Sequence, residues 1–263
     1  MDNLNVIVNG VLGKMGQEVL SAVQSDESLT PVGGADIFAS SSEITIPNSS
    51  LKIPVSTDLT ELISTTDVVV DFTNADGARK VIKTSALNGV NCVIGSTGLS
   101  DEDFAEAERL ANENNTSIII APNFAMGAVL MSYLVKEASR FFDYADLTEV
   151  HHEAKIDAPS GTAIAIARSA AEGKSGSFEA PEAEKELIEN ARGGSYRGVV
   201  IHSGRMPGRV AHHEMVFGAL GQTLTIRHDS INRESFMPGV MMAIKSTVDL
   251  KGLTIGLEKI MGL

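Results

Sequence analysis

The sequence predicts an α/β protein with an N-terminal parallel, doubly wound sheet and a second α+β domain that has a small, open, mixed sheet. In the first half, short apolar runs ending in glycine or polar residues alternate with helical spacing. The runs are continuously apolar, as in strands covered on both faces. Beyond about residue 124, β-rich runs punctuated by Gly and Pro replace this alternation. The 263 residues, 43% hydrophobic, suffice for one large or two modest domains.

The first half contains five apolar runs that we predict to be strands. They cover residues 5–10, 29–36, 67–73, 90–98 and 116–123. Helical segments separate most of them, and the first has Met15, Val19 and Val23 on one face. Ser100, followed by Asp103, predicts a capping box at the start of a later helix. The polar, turn-rich residues 38–50 are predicted to be a loop.

The second half begins with a long helical stretch, residues 125–142, and a strand-like run at 145–152. Residues 175–194 are polar and acidic, which indicates a surface segment with some helix. Residues 196–230 are β-rich, and helical periodicity returns at 236–249.

The charge balance limits the partners. There are 34 acidic and 21 basic residues, a net charge of −13, which disfavours nucleic acid and anionic membranes and favours a small-molecule ligand. An anionic ligand would need positive charge concentrated locally. Cys92, the only cysteine, lies in an apolar run and is predicted to be buried filler. A single cysteine and an N-terminus with no basic leader indicate a cytoplasmic protein.

The turn after the first predicted strand carries Gly10, Gly13 and Gly16. The commoner dinucleotide pattern is G-x-G-x-x-G, and Leu12 stands where that pattern has glycine. A plain strand–turn–helix would have the same spacing. The position of the turn between a strand and a helix, with Asp36 ending the second strand, favours a dinucleotide site. The predicted cofactor contacts in this turn are Gly10, Val11, Leu12, Gly13, Lys14 and Met15.

Asp36 bears on cofactor choice. A carboxylate there accepts hydrogen bonds from ribose hydroxyls and repels a 2′-phosphate. Ile37 offers no cation to hold that phosphate, although Lys14 would partly compensate. We therefore predict that NADH works at least as well as NADPH.

Three further strand ends carry small or polar loops, "DFTNADG", "GSTG" and "APNFAMG". Ligands of open parallel sheets bind beyond these ends, although each residue alone is also typical of an ordinary turn. The residues predicted to line the nicotinamide end are Thr73, Gly95, Ser96, Thr97, Ala121, Pro122, Asn123 and Phe124.

A second motif, "EVHHEAKIDAPSGTA", begins at Glu149. The zinc pattern H-E-x-x-H fails because Ile156 follows His152 at the required spacing, and Phe217 likewise follows His213. With no cysteine or third ligand cluster nearby in sequence, we predict no metal.

The same motif allows a structural and a catalytic interpretation. Adjacent histidines at a strand end point to opposite faces, and a lone strand-end histidine is more often structural than catalytic. His212 and His213 are predicted to be structural. In the catalytic interpretation, "DAPSGTA" starts a helix capped by Ser160 or Thr162.

That helix start would form an anion site from the free N–H groups of Ser160, Gly161 and Thr162. Lys155 and one of the preceding histidines would add positive charge. A histidine near its ordinary pKa of about 6.5 can donate or accept a proton at neutral pH.

At these residues the chain resembles the dihydrodipicolinate reductase family. The family signature E-x-H-H-x-x-K-x-D-A-P-S-G-T-A is matched at every fixed position. The resemblance covers essentially the whole chain and includes "GVLGKMG", "IGSTG", "APNFAMG", "IHSGRMPG", "TIRHDS" and "FMPGV". Lys14 stands where arginine is usual.

The resemblance implies a homotetramer that reduces 4-hydroxy-2,3,4,5-tetrahydrodipicolinate, a small dicarboxylate, with NADH or NADPH and loss of water. Residues 1–123 and 234–263 would form the Rossmann cofactor domain, and residues 124–233 the substrate-binding and tetramerisation domain. His151 would donate and accept a proton, and Lys155 would be the second proton donor. The implied substrate-binding residues are His152, Ser160, Gly161, Thr162 and Arg233.

Two alternatives remain at this point. One is a Rossmann reductase or dehydrogenase of another small carboxylate. The other is a non-catalytic dinucleotide-sensing protein, which would need the glycine turn but not the histidine–lysine motif.

Overall fold

The computed structural model describes residues 3–263 and divides into two compact units. The first runs to Phe124 and resumes at Phe236–Gly262, and the second is Ala125–Ser235. The sequence-based boundaries are at residues 123/124 and 233/234, and the roles assigned to the two domains stay predictions. The predicted fold class is confirmed, with one predominantly parallel sheet and one separate mixed sheet.

The helices and strands follow one another in an order that fits the predicted alternation. They are β1 Leu4–Asn9, α1 Lys14–Ser25, β2 Leu29–Ala35, β3 Glu43–Thr45, β4 Lys52–Ser56, β5 Val68–Asp71, α2 Ala75–Leu87, β6 Asn91–Ile94, α3 Asp101–Asn114, β7 Ser117–Ile120, α4 Met126–Ser139, β8 Tyr144–His151, α5 Gly161–Gly173, β9 Gly194–Tyr196, β10 Val199–Arg205, β11 Ala211–Ala219, β12 Gln222–Ser230, α6 Met237–Ser246, β13 Gly252–Ile255 and α7 Glu258–Met261. Short 3-10 helices lie at Leu59–Glu61, Ile63–Thr65 and Arg233–Phe236.

The first unit contains an eight-stranded sheet in the order β13-β7-β6-β5-β1-β2-β4-β3. Its strand pairs are parallel except β3–β4. β5 and β7 are buried along their whole length, which explains their continuously apolar sequences. Their side chains pack with α2 and α3 in a core that includes Ile7, Val69, Cys92 and Ile118. Each fully buried Val or Ile side chain contributes about 1.5–3 kcal/mol.

The connection order reverses beside β1, whose neighbours are β2 and β5. In open parallel sheets this reversal leaves a crevice at the carboxyl ends of the strands. The predicted capping box at the start of α3 is present, with Ser100 and Asp103 bonding each other's backbone amides.

The second unit contains a five-stranded mixed sheet in the order β12-β11-β8-β10-β9. β8 runs parallel to β10 and antiparallel to β11. Helices α4 and α5 contribute Val135 and Ile166 to a core that also holds Leu147 and Phe217 from the sheet. No helix within residues 3–263 is long and apolar enough to cross a membrane.

Two predicted elements differ from the structure. The predicted loop at residues 38–50 contains β3, because Ile44 pairs with Ile53 of β4, and a three-residue strand depends on its partner more than on local pattern. The helix predicted within residues 175–194 is wrong, since the structure has no helix there. Residues 179–195 are exposed throughout, so a helix would have no surface to pack against.

Candidate active site

The glycine turn between β1 and α1 is fixed by close contacts. Gly10 has φ +76°, which favours glycine, and a Cβ there would lie 2.5 Å from Cγ2 of Thr73. A Cβ on Gly16 would lie 2.1 Å from the carbonyl oxygen of Gly10. Any side chain at position 16 would therefore force α1 away from the turn.

The first turn of α1 lies beside a large cavity. The N-cap residue is Gly13, which has no side chain to bond the first amides of the helix. A cavity of about 790 Å³ adjoins this turn. Its lining includes five of the predicted cofactor residues, namely Gly10, Leu12, Gly13, Asp36 and Thr73. Uncapped amides at a helix N-terminus beside a cavity suit the pyrophosphate of a dinucleotide.

Asp36 is 8% exposed and is held by two backbone amides. Its carboxylate accepts hydrogen bonds of 3.0 Å from the N–H groups of Leu12 and Phe38. A carboxylate has about four lone-pair sites, so acceptor capacity remains for ribose hydroxyls. The contact from Leu12 uses its backbone, so the turn keeps this geometry without glycine at that position.

Asp71, at the end of β5, joins three elements of the first unit. Its buried carboxylate accepts hydrogen bonds from Asn9 (2.6 Å), Thr73 (2.7 Å) and Ser96 (2.5 Å). Asp71 is not among the site residues predicted from the sequence. The only available signal was an acidic residue ending the buried run "DVVVDFT".

The other predicted cofactor residues do not line the cavity, and their assignment stays a prediction. Gly95 faces the ring of Phe72, where a Cβ would lie 2.1 Å from Cε1. Among the remainder, Val11, Ser96, Ala121 and Phe124 are buried, Met15 and Asn123 are half-buried, and Lys14, Thr97 and Pro122 are exposed.

In the second unit, Glu149 and His151 lie two residues apart on β8 and therefore share a face of the sheet. They are 0% and 6% exposed. A short hydrogen bond joins Nδ1 of His151 to Oε2 of Glu149. His213 of β11 pairs in register with Glu149, and its ring packs edge-on against His151 with centroids 5.3 Å apart. His213 therefore contacts the predicted proton donor, and its structural role stays a prediction.

The second carboxylate oxygen of Glu149 has further partners. Oε1 accepts hydrogen bonds from Nη2 of Arg205 (2.9 Å) and from the amide of Ser160 (3.3 Å). Burial alone would raise the pKa of Glu149, but hydrogen bonds from Arg205, Ser203 and His151 leave it below its ordinary value. Glu149 is therefore a buried anion at neutral pH.

The two buried histidines have lowered pKa values. Burial lowers the pKa of His151, against the raising effect of Glu149, and the positive charges of Lys155 and Arg205 lower it further. Burial, helped by the charge of His151, lowers the pKa of His213 to about 4. Both rings are therefore predominantly neutral at pH 7 in the absence of ligand.

The loop after β8 brings Lys155 close to the start of α5. Nζ of Lys155 donates to Oδ1 of Asp157 at 2.6 Å, and the amide of Gly161 also bonds that carboxylate, which holds the pKa of Asp157 below its ordinary value. Ser160 is the N-cap, and its Oγ accepts from the amide of Ala163 at 3.1 Å.

Two of the three amides predicted to be free at this helix start already have partners, and one of them is the amide of Gly161, which bonds Asp157. The amide of Ser160 is not free, because it bonds Glu149. Gly161 and Thr162 lie in the first turn, while His152 is exposed beyond the end of β8. Arg233 is exposed in the 3-10 helix Arg233–Phe236, and no hydrogen bond or ion pair among residues 3–263 joins it to this group. The substrate-binding roles of these residues stay predictions.

The sequence shows no third ligand cluster beside the histidines, but the fold brings three ligand-type side chains together. Atoms of Glu149, His151 and His213 that are able to bind a metal lie within 4.8 Å of one another. Glu149 is nevertheless already bonded to His151 and Ser160, and the guanidinium of Arg205 places a positive charge against its carboxylate. These contacts oppose a cation, and the absence of a metal stays a prediction.

Comparison with known proteins gives the family of the chain. The family models for the N-terminus and C-terminus of dihydrodipicolinate reductase match residues 4–124 and 127–261. The chain belongs to the dihydrodipicolinate reductase family. The family predicted from sequence is thereby confirmed, as is the prediction of an oxidoreductase with a nicotinamide cofactor.

Individual members of the dihydrodipicolinate reductase family match over their full length. A 4-hydroxy-tetrahydrodipicolinate reductase from Dehalococcoides mccartyi is 47% identical over 100% of both chains. One from Listeria welshimeri is 42% identical over 98% of this chain and 100% of its own. A dipicolinate-bound dihydrodipicolinate reductase from Paenisporosarcina sp. TG-14 superposes with a TM-score of 0.88 at 39% identity, covering 98% of this chain and 99% of that one.

Proposed function

We propose that this chain reduces 4-hydroxy-2,3,4,5-tetrahydrodipicolinate to tetrahydrodipicolinate with NADH or NADPH and with loss of water. Family membership over the whole length supports this reaction. The structural observation that carries it is the grouping of a buried histidine, a lysine and a helix start within residues 149–162. This grouping supplies proton carriers and an anion site together. A protein that only senses dinucleotides has no need of either.

The start of α5 suits a dicarboxylate. First-turn amides and the helix dipole stabilise a carboxylate without a side-chain cation. Lys155 adds a positive charge in a chain whose net charge is −13. We assign substrate carboxylate binding to the amides of Gly161 and Thr162 and to His152. The Asp157 carboxylate bonds Lys155 and the Gly161 amide. A substrate carboxylate would therefore compete with Asp157 for these two groups.

The proton chemistry falls to His151 and Lys155. The bound nicotinamide supplies the hydride, so the protein must supply one proton and assist departure of water. Lys155 has an ammonium group able to donate a proton or stabilise developing negative charge. His151 presents Nε2, the ring nitrogen that Glu149 does not hold, and a bound dicarboxylate would favour its protonation.

The charged residues that line the cavity of the first unit support the prediction that NADH works at least as well as NADPH. The cavity lining contains three carboxylates, Asp36, Asp58 and Asp76, and one cationic side chain, Lys80. A 2′-phosphate near Asp36 would experience repulsion with little compensation. Lys80 of α2 lines this cavity but was not predicted from the sequence.

The direct test follows oxidation of NADH and NADPH by absorbance with freshly generated 4-hydroxy-tetrahydrodipicolinate as substrate. We expect consumption of both cofactors, with NADH at least as effective. No consumption with either cofactor would contradict the proposed reaction, and a large preference for NADPH would contradict the assignment of Asp36.

The assembly and location stay predictions. We expect a homotetramer, which light scattering of the purified protein tests directly. We also expect a cytoplasmic protein with no nucleic-acid partner, with residues 124–233 responsible for substrate binding and tetramerisation.

A further inference from the structure

We propose that Glu149 is a positioning residue that holds His151 as the Nδ1–H tautomer and ties it to Ser160, the N-cap residue of α5. This inference rests on the proposed function for its catalytic consequence. The tautomer of His151 and the contacts of Glu149 concern the ligand-free protein and do not depend on the proposed function.

The tautomer follows from the partners of Glu149. An ionised carboxylate only accepts hydrogen bonds, so Nδ1 of His151 must donate the bond that joins the two side chains. Nε2 is then the unprotonated nitrogen of the neutral ring. Glu149 is thereby able to orient His151 for proton transfer through Nε2, while the carboxylate itself need not contact substrate.

The other oxygen of Glu149 fixes the anion site. Oε1 accepts from the amide of Ser160, the N-cap of α5, and from Arg205, which also donates to the carbonyl of Asp157 at 2.6 Å. One buried carboxylate therefore connects the end of β8, the end of β10 and the start of α5. A displacement of Glu149 would move the proton carrier and the carboxylate site relative to each other.

The charged and titratable groups around His151 come from every neighbouring element. Glu149 lies beside it on β8, Arg205 approaches from β10, and Lys155 approaches from the following loop. His213 packs against it from β11.

Further charged and titratable groups lie next to His213 and Lys155. His212 and His228 lower the pKa of His213, and Asp157 pairs with Lys155. Glu149 is the only acidic group in direct contact with His151 among residues 3–263.

Two substitutions separate the two functions of Glu149. Glu149→Gln keeps an oxygen that is able to accept from Arg205 and Ser160, but it offers an N–H group to His151 and favours the opposite tautomer. We expect kcat to fall about 10²-fold with KM for substrate nearly unchanged, since general acid–base catalysis contributes about 10²–10⁴-fold. Glu149→Ala removes both contacts, so KM should also rise, by about tenfold, the equivalent of one lost hydrogen bond.

The decisive measurement is the nitrogen NMR spectrum of His151 in the full-length, ligand-free protein near pH 8. His151 signals are assigned by their loss in His151→Gln. We expect a protonated Nδ1 in the wild type and a protonated Nε2 in Glu149→Gln. The pKa of His151 should also move to lower pH in Glu149→Gln, because the lost negative charge raises it in the wild type.

The matched control is Glu214→Gln, the same change on the adjacent β11, where Glu214 pairs with Arg227. It should leave kcat, KM and the His151 spectrum unchanged. A wild-type His151 protonated on Nε2 would overturn the proposal without any variant, even if a variant fails to fold. A Glu149→Gln enzyme with the wild-type tautomer and turnover would also overturn it. The tautomer is read without substrate, so failure of the proposed reaction would be a separate result.

Discussion

The hydroxyl of Ser96 donates a 2.5 Å hydrogen bond to the buried carboxylate of Asp71, which ties the end of β6 to the end of β5. Asn9 at the end of β1 donates to the same carboxylate at 2.6 Å. Three neighbouring strand ends therefore share one acceptor. Thr73, which also donates to Asp71, lines the cavity beside α1, so the network connects the sheet to the proposed nucleotide site.

Asp71→Asn should weaken both stability and cofactor binding. The new amide nitrogen would replace one of the acceptor oxygens. It would then face a hydroxyl or amide group that is itself a donor, so that hydrogen bond would be lost. Hydrogen bonds to a charged group contribute about 1.5–3 kcal/mol each, so we expect the free energy of unfolding to fall by about 2–3 kcal/mol. Urea denaturation measures this loss, and titration with NADH should show weaker binding. Asp249→Asn, the same change at an exposed position, should change neither quantity; equal behaviour of the two variants would contradict the prediction.

Most of the parallel sheet could be predicted because each strand carries its own signal. β5 and β7 are apolar at nearly every position since both faces are covered. The start of α5 could also be predicted from the sequence, because Ser160 caps the helix through its own side chain. In these cases the stabilising contacts lie within a few residues of one another.

The contacts of the candidate site that the sequence did not predict depend on the register between strands that are distant in sequence. His213 reaches His151 only because β11 runs antiparallel to β8 with His213 opposite Glu149. No local pattern distinguishes it from His212, which points the other way and bonds Asp229 at 2.7 Å. The position of Glu149 was easier to predict, since the two-residue period of a strand places it beside His151.

Asp36→Asn should shift cofactor preference toward NADPH. The change removes a negative charge beside the predicted position of a 2′-phosphate but retains an oxygen able to accept from an amide. We expect the ratio of kcat/KM for NADPH to that for NADH to rise by about tenfold, equivalent to about 1.4 kcal/mol of relieved repulsion. Asp58→Asn, in the same cavity lining, is the control and should change the ratio less. An unchanged ratio in Asp36→Asn would show that the carboxylate does not face that phosphate.

Lys155→Ala should reduce turnover while leaving the cofactor site intact. Loss of a proton donor should lower kcat by about 10²–10³-fold. NADH binding, followed by fluorescence, should be unchanged. Lys251→Ala, at an exposed position in the other unit, serves as the control and should retain full activity. The catalytic assignment would be wrong if Lys155→Ala and His151→Gln both kept near wild-type turnover.

Stability should fall as pH decreases from about 6.5 toward 4 because of His213. Burial holds its pKa at about 4 in the folded protein, whereas the unfolded chain has the ordinary value of about 6.5. The unfolded state therefore binds a proton first as pH falls. The contribution is fully present above about pH 6.5, and about 3 kcal/mol of it is lost by pH 4. Urea midpoints measured across this range should decline less steeply for His213→Gln than for the wild type. The exposed His152→Gln is the matched control and should retain the wild-type slope. Equal slopes for wild type and His213→Gln would mean that this ring is not buried in the neutral form.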